Sequence, residues 1–155
     1  MARVSRETTF LSMEAGEFEK IYPVEREAQL LAEWAEAGYH LNLLALTGEG
    51  EIAGCCNCAY SMEKQRYRHR ASLGLSVRQD YWRQGLVRRL LEIQEGWCLS
   101  QGITKLCLEV DTSNTPALWL YLRMGFEVEG TLRREVHMAD GSYRDLYSMA
   151  KFLDE

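Results

Sequence analysis

Apolar and polar positions change period several times along the chain, and each change marks an element. Between Val24 and Ala37 apolar side chains recur at helical spacing (Ala28, Leu31, Ala32, Ala35), with Gly38 as a natural stop, so the pattern predicts a helix. Leu41 to Thr47 reads as a strand, Gly48-Glu49-Gly50 as a tight turn, and Glu51 to Tyr60 as its hairpin partner. Leu73, Leu75 and Val77 alternate through a third strand, Ala71 to Val77. From Gly85 to Ser100, Leu86, Leu90, Ile93 and Trp97 recur at steps of four, three and four, one face of a helix. In the strand Thr104 to Val110, Leu106, Leu108 and Val110 face one way and Lys105, Cys107 and Glu109 the other. Ser113-Asn114-Thr115-Pro116 opens a short helix that Gly125 closes. The tail, Phe126 to Leu153, forms a hairpin around Ala139-Asp140-Gly141-Ser142. Helix, strands, helix, strand, helix, strands is the order of an α/β fold on a mixed sheet, not of a regular βαβ array. No repeat, low-complexity tract or linker divides residues 1–155, so a single domain is expected.

Composition narrows the class. With 46% hydrophobic residues, 155 residues can bury a real core, and 26% charged residues is ordinary for a globular chain. The net charge of -5 repels phosphate backbones and anionic lipid, which argues against nucleic acid or membrane partners. The basic stretch Lys64-Gln65-Arg66-Tyr67-Arg68 reads as a solvated loop. Without a spanning apolar run or a signal segment, a cytoplasmic location is expected. The 5 cysteines do not form a secreted disulfide framework. Cys56 and Cys58 share one strand face and Cys55 takes the other; His40, His69 and His137 show no ligand spacing with them. Buried apolar thiols account for the three, and no metal is expected.

The segment from Leu73 to Leu91 carries the most chemistry. A strand runs into a short loop, and a long helix opens at Gly85. Free N–H groups of a first helical turn form an anion site, aided by the helix dipole. Gly85 admits close backbone approach to a phosphate, and Arg83, Arg88 and Arg89 add positive charge. On these residues alone an ordinary strand-to-helix turn with solvated arginines stays open. Neither G-x-G-x-x-G nor a P-loop is present.

Val77 to Leu91 resembles the coenzyme-A-binding motif of the GNAT family of N-acetyltransferases. In that motif a strand end, an Arg/Gln-x-x-Gly-x-Gly/Ala turn and a helix cradle the pyrophosphate. Gly85 matches the first glycine, while Trp82 stands at the Arg/Gln position and Val87 at the second small residue. Downstream, Leu108-Glu109-Val110 and Asn114, Tyr121 and Gly125-Phe126 resemble the family's other signature, without insertion. Likeness extends over residues 40 to 153 and is nearest to the ribosomal-protein and general amine acetyltransferase branches. It implies a sheet splayed between strands 71–77 and 104–110, with acetyl-CoA as acyl donor and a small-molecule or peptide amine as acceptor. It sets Leu75, Val77, Arg83, Gln84, Gly85, Leu86, Val87, Arg88, Asn114 and Tyr121 against the donor. Tyr121 takes the place of the acid that protonates the leaving sulfur, and Glu109 that of the general base. Members carry a strand and helix ahead of the segment resembling Glu17 to Trp34. This chain has about a dozen residues there, so either the first strand is abbreviated or another chain covers that edge, as in a homodimer.

Bland readings stand beside these. Tyr121 could merely pack, Glu109 could be a solvated strand carboxylate, and Asn114 could simply cap its helix. Glu14, Glu17, Glu19, Glu25 and Glu27 read as solvated charges. No serine or cysteine sits in a nucleophile motif, which favours direct attack by the amine over an acyl-enzyme. A non-catalytic acyl-CoA-binding module and a transferase of another acyl group remain the rival functions.

Overall fold

A computed structural model describes residues 3–154. Two short helices, α1 (Val4–Glu7) and α2 (Glu17–Ile21), precede α3 (Val24–Ala37). The hairpin β1 (His40–Leu46) and β2 (Ile52–Tyr60) follows, then β3 (Arg70–Val77), α4 (Leu86–Ser100) and β4 (Lys105–Asp111). The chain closes with α5 (Thr115–Arg123), β5 (Glu127–His137) and β6 (Tyr143–Phe152). This is the mixed α/β order that the periodicity predicts. Among the described residues no strand precedes His40, so the edge of the sheet is β1 itself.

The six strands lie in the order β1-β2-β3-β4-β6-β5. All neighbours are antiparallel except β3 and β4, which α4 connects as a parallel pair. Leu106, Leu108 and Val110 of β4 enter one core cluster with Leu91 and Cys98 of α4 and Tyr121 of α5. Both helices therefore cover one face of the sheet, and Cys107, Glu109 and Asp111 point to the other. Leu91, Ile103, Leu106 and Met149 have no exposed surface. Each such burial contributes about 1.5–3 kcal/mol.

Two helix faces differ from the sequence expectation. In α4 the fully buried positions are Leu91, Gln94 and Cys98, with Leu90 beside them, whereas Ile93 is 45% exposed. The inward stripe is thus turned by one residue, roughly 100° of helix. A polar residue causes the discrepancy: Gln94 donates from Nε2 to the Asn57 carbonyl at 2.9 Å and accepts from the Cys56 thiol at 2.9 Å. Satisfied in this way, an amide can be buried where a polarity pattern leaves it outside. In α3 the predicted face Ala28, Leu31, Ala32 and Ala35 is exposed, and Glu27, Leu30 and Trp34 are the half-buried positions. Trp34 stacks on His40, ring centres 4.9 Å apart, which turns the helix this way against β1. Its end falls where expected, Gly38 taking φ 71° at the C-terminal cap.

Candidate active site

Pairing between β3 and β4 covers only Arg70–Lys105, Ala71–Leu106 and Ser72–Cys107. Beyond Ser72 the strands part. β3 continues beside β2 as far as Val77, and β4 beside β6 as far as Asp111. A wedge-shaped gap opens between them. The Arg78 amide donates to the Ala53 carbonyl at 2.9 Å, which makes Gly54–Val77 the non-hydrogen-bonded pair of the β2–β3 ladder. Alternation then turns the backbone N–H groups of Val77 and Leu75 away from β2, toward the gap. The Val77 carbonyl accepts from the Trp82 indole at 2.9 Å.

The loop from Arg78 to Gly85 is locked from within. Gln79–Tyr81 forms a single 3-10 turn, Gln84 Nε2 donates to the Asp80 carbonyl at 2.9 Å, and Arg78 pairs with Glu51 at 3.0 Å and Asp80 at 3.2 Å. Arg83 (φ 60°) and Gly85 (φ 79°) both take the left-handed conformation that swings the chain into α4. No side chain caps Gly85, and the first helical hydrogen bond there runs from the Arg89 amide to the Gly85 carbonyl at 3.1 Å. The amides of Leu86, Val87 and Arg88 are therefore outside the helical ladder. A cleft of about 490 Å³ lies beside this helix start, lined by Gln84, Gly85 and Leu86 together with Ala45–Gly48 of the β1–β2 turn, Ala53, Tyr81 and Arg89. Arg88 leans back along the helix to Glu92 at 2.9 Å, and this bond holds the Glu92 carboxyl below its ordinary range.

Tyr121 lies beneath the gap on the helix side. Its ring packs edge-on against Phe126 at 5.7 Å, and the residue is 8% exposed. Burial, with Cys56 nearby, pushes its phenol up to about 12. Asn114 caps α5, its Oδ1 accepting from the Ala117 amide at 3.3 Å. Glu109 stands on the opposite face of the sheet and is exposed, beside Ser148 of β6. The two proposed proton-transfer residues thus flank the gap from its two faces.

On the Glu109 face the N-terminal segment crosses the far end of the gap. Val4 and Ser5 are buried, and the Glu7 carboxylate accepts from the Gln79 amide at 2.7 Å, just beyond β3. A few residues on, Arg144 of β6 donates to the Thr9 carbonyl at 3.2 Å and to Thr9 Oγ1 at 3.3 Å, and pairs with Asp111 at 3.2 Å. Residues 7–9 therefore tie the end of β3 to the ends of β4 and β6. Burial would raise the Asp111 carboxyl, but the Ser113 hydroxyl and amide and Arg144 outweigh it and hold it below its ordinary range.

A family model described as the acetyltransferase (GNAT) family matches residues 8–126. The chain belongs to that family. Membership makes it an enzyme of the acetyltransferase class. The ribosomal protein bS18 alanine N-acetyltransferase of Escherichia coli is 30% identical over 148 residues, covering 92% of this chain and 95% of the relative. A GNAT-family acetyltransferase from Streptococcus pneumoniae superposes with a TM-score of 0.85 at 32% identity, covering 97% of this chain and 88% of that one. A Salmonella typhimurium protein solved with its cofactor acetyl-CoA shares the fold at a TM-score of 0.79 and 17% identity, covering 99% and 84%. The GNAT resemblance and the splayed mixed sheet are both borne out.

Of the predicted site residues, Leu75, Val77, Gln84, Gly85, Leu86 and Val87 come together along β3 and the start of α4. Arg83 and Arg88 flank this line on the surface. Cys56 and Cys58 face α4 and pack there, whereas Cys55 turns to Ser76 at 3.1 Å. Sequence reasoning missed Glu7, Thr9, Asp111 and Arg144. Glu7 and Gln79 are 72 residues apart, and no local pattern links them. Among the described residues, no helix is long and apolar enough to cross a membrane.

Proposed function

We propose that this chain transfers the acetyl group of acetyl-CoA to a primary amine by direct attack, within one domain. The reading is carried by the early end of β3–β4 pairing at Ser72, which leaves a slot flanked by Tyr121 on one face and Glu109 on the other. In this reading the amides of Leu86, Val87 and Arg88 and the side chains of Arg83 and Gln84 hold the pyrophosphate. The gap-facing amide of Leu75 binds the pantetheine arm as a missing strand would, and Asn114 meets it from the start of α5. Acetyl-CoA supplies an acyl group already activated as a thioester.

Residues of this chain handle the protons. An amine of ordinary pKa, about 10, is mostly protonated at neutral pH and has no free lone pair. Glu109, on the solvent-facing side, accepts that proton before the C–N bond forms. Tyr121, on the buried side, gives its own proton to the sulfur as the C–S bond breaks, and the second proton that the nitrogen sheds in becoming an amide restores the phenol through water. Its raised pKa suits the task, because the phenol keeps its proton until a thiolate develops. In this reading the Val77 amide receives the charge that develops on the carbonyl oxygen. The proposed acceptors are small amines, amino acids or protein N-termini. They accord with the relatives' printed activities, which include a ribosomal-protein alanine and an L-amino acid as acceptors.

Release of free thiol from acetyl-CoA, followed against a panel of amines, amino acids and N-terminal peptides, tests the reading. Turnover with at least one class is expected. Tight CoA binding without turnover on any of them would make the chain an acyl-CoA-binding module instead.

A further inference from the structure

A second cavity, of about 480 Å³, opens on the Glu109 face of the sheet, away from the helix side where the donor is proposed to bind. Its floor is Ala59 of β2 and Ser72 of β3, which pair directly, and its rim is the 61–67 loop. Two of its lining side chains carry charge, Lys64 and Arg70, and both are positive. Among the described residues neither is in an ion pair. Lys105, one strand over, is neutralised by Glu129 at 2.5 Å, and Glu63 of the same loop pairs with neither cation. The Arg70 guanidinium is held over the Tyr67 ring at 5.8 Å and also reaches the Cys107 thiol. On a chain of net charge -5, two unneutralised cations lining a cavity form a local anion trap.

Its position relates it to the reaction. Ser72 pairs with Cys107, the last pair before the gap opens. Glu109 is the next residue on that face of β4, roughly 7 Å further along the strand. A molecule with its amine at Glu109 would reach Lys64 and Arg70 with its far end, over about two extended residues of peptide. We infer that the Lys64–Arg70 cavity is an acceptor subsite selecting primary amines with a carboxylate held off from the nitrogen, chiefly acidic peptides. This rests on the proposed acetyl transfer and narrows its substrate class.

Matched acceptors test it. Ala-Glu-amide and Ala-Gln-amide present the same nucleophile and differ only in the distal charge. The acidic member is expected to show a KM about fivefold lower at similar kcat, as an exposed charge pair would give. Alanine against alaninamide separates the other source of a carboxylate, the free amino acid. There the charge lies too close to the nitrogen, and little preference is expected. In Lys64→Glu, an exposed substitution, the Glu/Gln preference should vanish or invert, and in Arg70→Gln it should shrink toward one. Equal KM values for the dipeptide pair in an enzyme that acetylates both would overturn the inference. So would a preference that both variants leave intact. Failure to acetylate any amine would sink the proposed function instead. Calorimetric titration with the two dipeptide amides would then decide the subsite, equal or weaker binding of the acidic one counting against it.

Discussion

The Glu7 carboxylate accepts the Gln79 amide at 2.7 Å and so caps the 3-10 turn that leads from β3 into the loop before α4. Arg3 adds charge to the same corner, 3.4 Å from Glu7 and 3.7 Å from Asp80. A residue of the first short helix thereby fixes the backbone on which the donor would lie. Replacing a capping carboxylate costs about 1 kcal/mol. Glu7→Ala should lower the melting temperature by roughly 2–4 °C, the shift of 1 kcal/mol in a domain of this size. Glu7→Gln should recover part of it. Unchanged thermal unfolding in Glu7→Ala would mean that water caps the Gln79 amide equally well.

Tyr121→Phe removes the hydroxyl and keeps the ring against Phe126. Loss of a general acid costs on the order of 100-fold or more in rate. A drop of that size in kcat is expected, with CoA affinity retained by calorimetry. Because the phenol is pushed up to about 12, it stays protonated through neutral and mildly alkaline pH. The wild-type kcat should therefore show no loss due to Tyr121 below about pH 11. Wild-type turnover in the variant would remove the proton-donor role.

Gly85 sits at φ 79°, yet an added Cβ would meet no atom within 4 Å. Gly85→Ala thus carries backbone strain, about 1 kcal/mol, without a clash inside the protein. If a pyrophosphate rests on this backbone, the new methyl meets the ligand instead. The KM for acetyl-CoA should rise about tenfold, or about 1.4 kcal/mol, while the KM for the amine holds. A stability loss with no change in donor KM would take the pyrophosphate off this helix end.

Asp111 has a folded pKa below its ordinary 3.8, despite its burial, through Ser113 and Arg144. Its stabilising effect is therefore complete above the unfolded value and is lost as pH falls through the folded one. Asp111→Asn should destabilise by about 2 kcal/mol at pH 7, because Arg144 and the Thr9 contacts lose their anchor. The difference from wild type should shrink in urea unfolding as the pH falls through the depressed folded value, because Asp111 too is then neutral. A gap independent of pH would attribute the loss to packing.

Much of the candidate site's local geometry was legible because its signals are local. The Gly85 turn and the Asn114 cap each lie within a few residues of the element they shape. The two faces of β4 follow from a period of two that the backbone enforces. Helix faces were less legible. In α4 a buried Gln94 satisfied by Asn57 turned the inward stripe away from Ile93. In α3 the Trp34–His40 stack chose Leu30 and Trp34 over the alanine face. Hydropathy records whether a side chain is apolar, not whether a partner waits for its polar atoms. The Lys64–Arg70 cavity was hidden for a related reason. The basic run 64–68 is solvated as it reads, and only the fold brings Lys64 to the same cavity as Arg70 and Ser72.

The sequence by itself determined not the two short helices α1 and α2 but the elements from Val24 onward, their order, the family and the residues on each face of β4. Those depend on neighbours within a turn or a strand, where chain geometry is nearly fixed. Only the tertiary structure decided where β3 and β4 stop pairing, and which face of each helix meets the sheet. It alone tied Glu7 to Gln79 and Thr9 to Arg144 across the open end of the gap. These contacts join residues far apart in the chain, and they form because packing brings unmatched donors and acceptors within reach of one another.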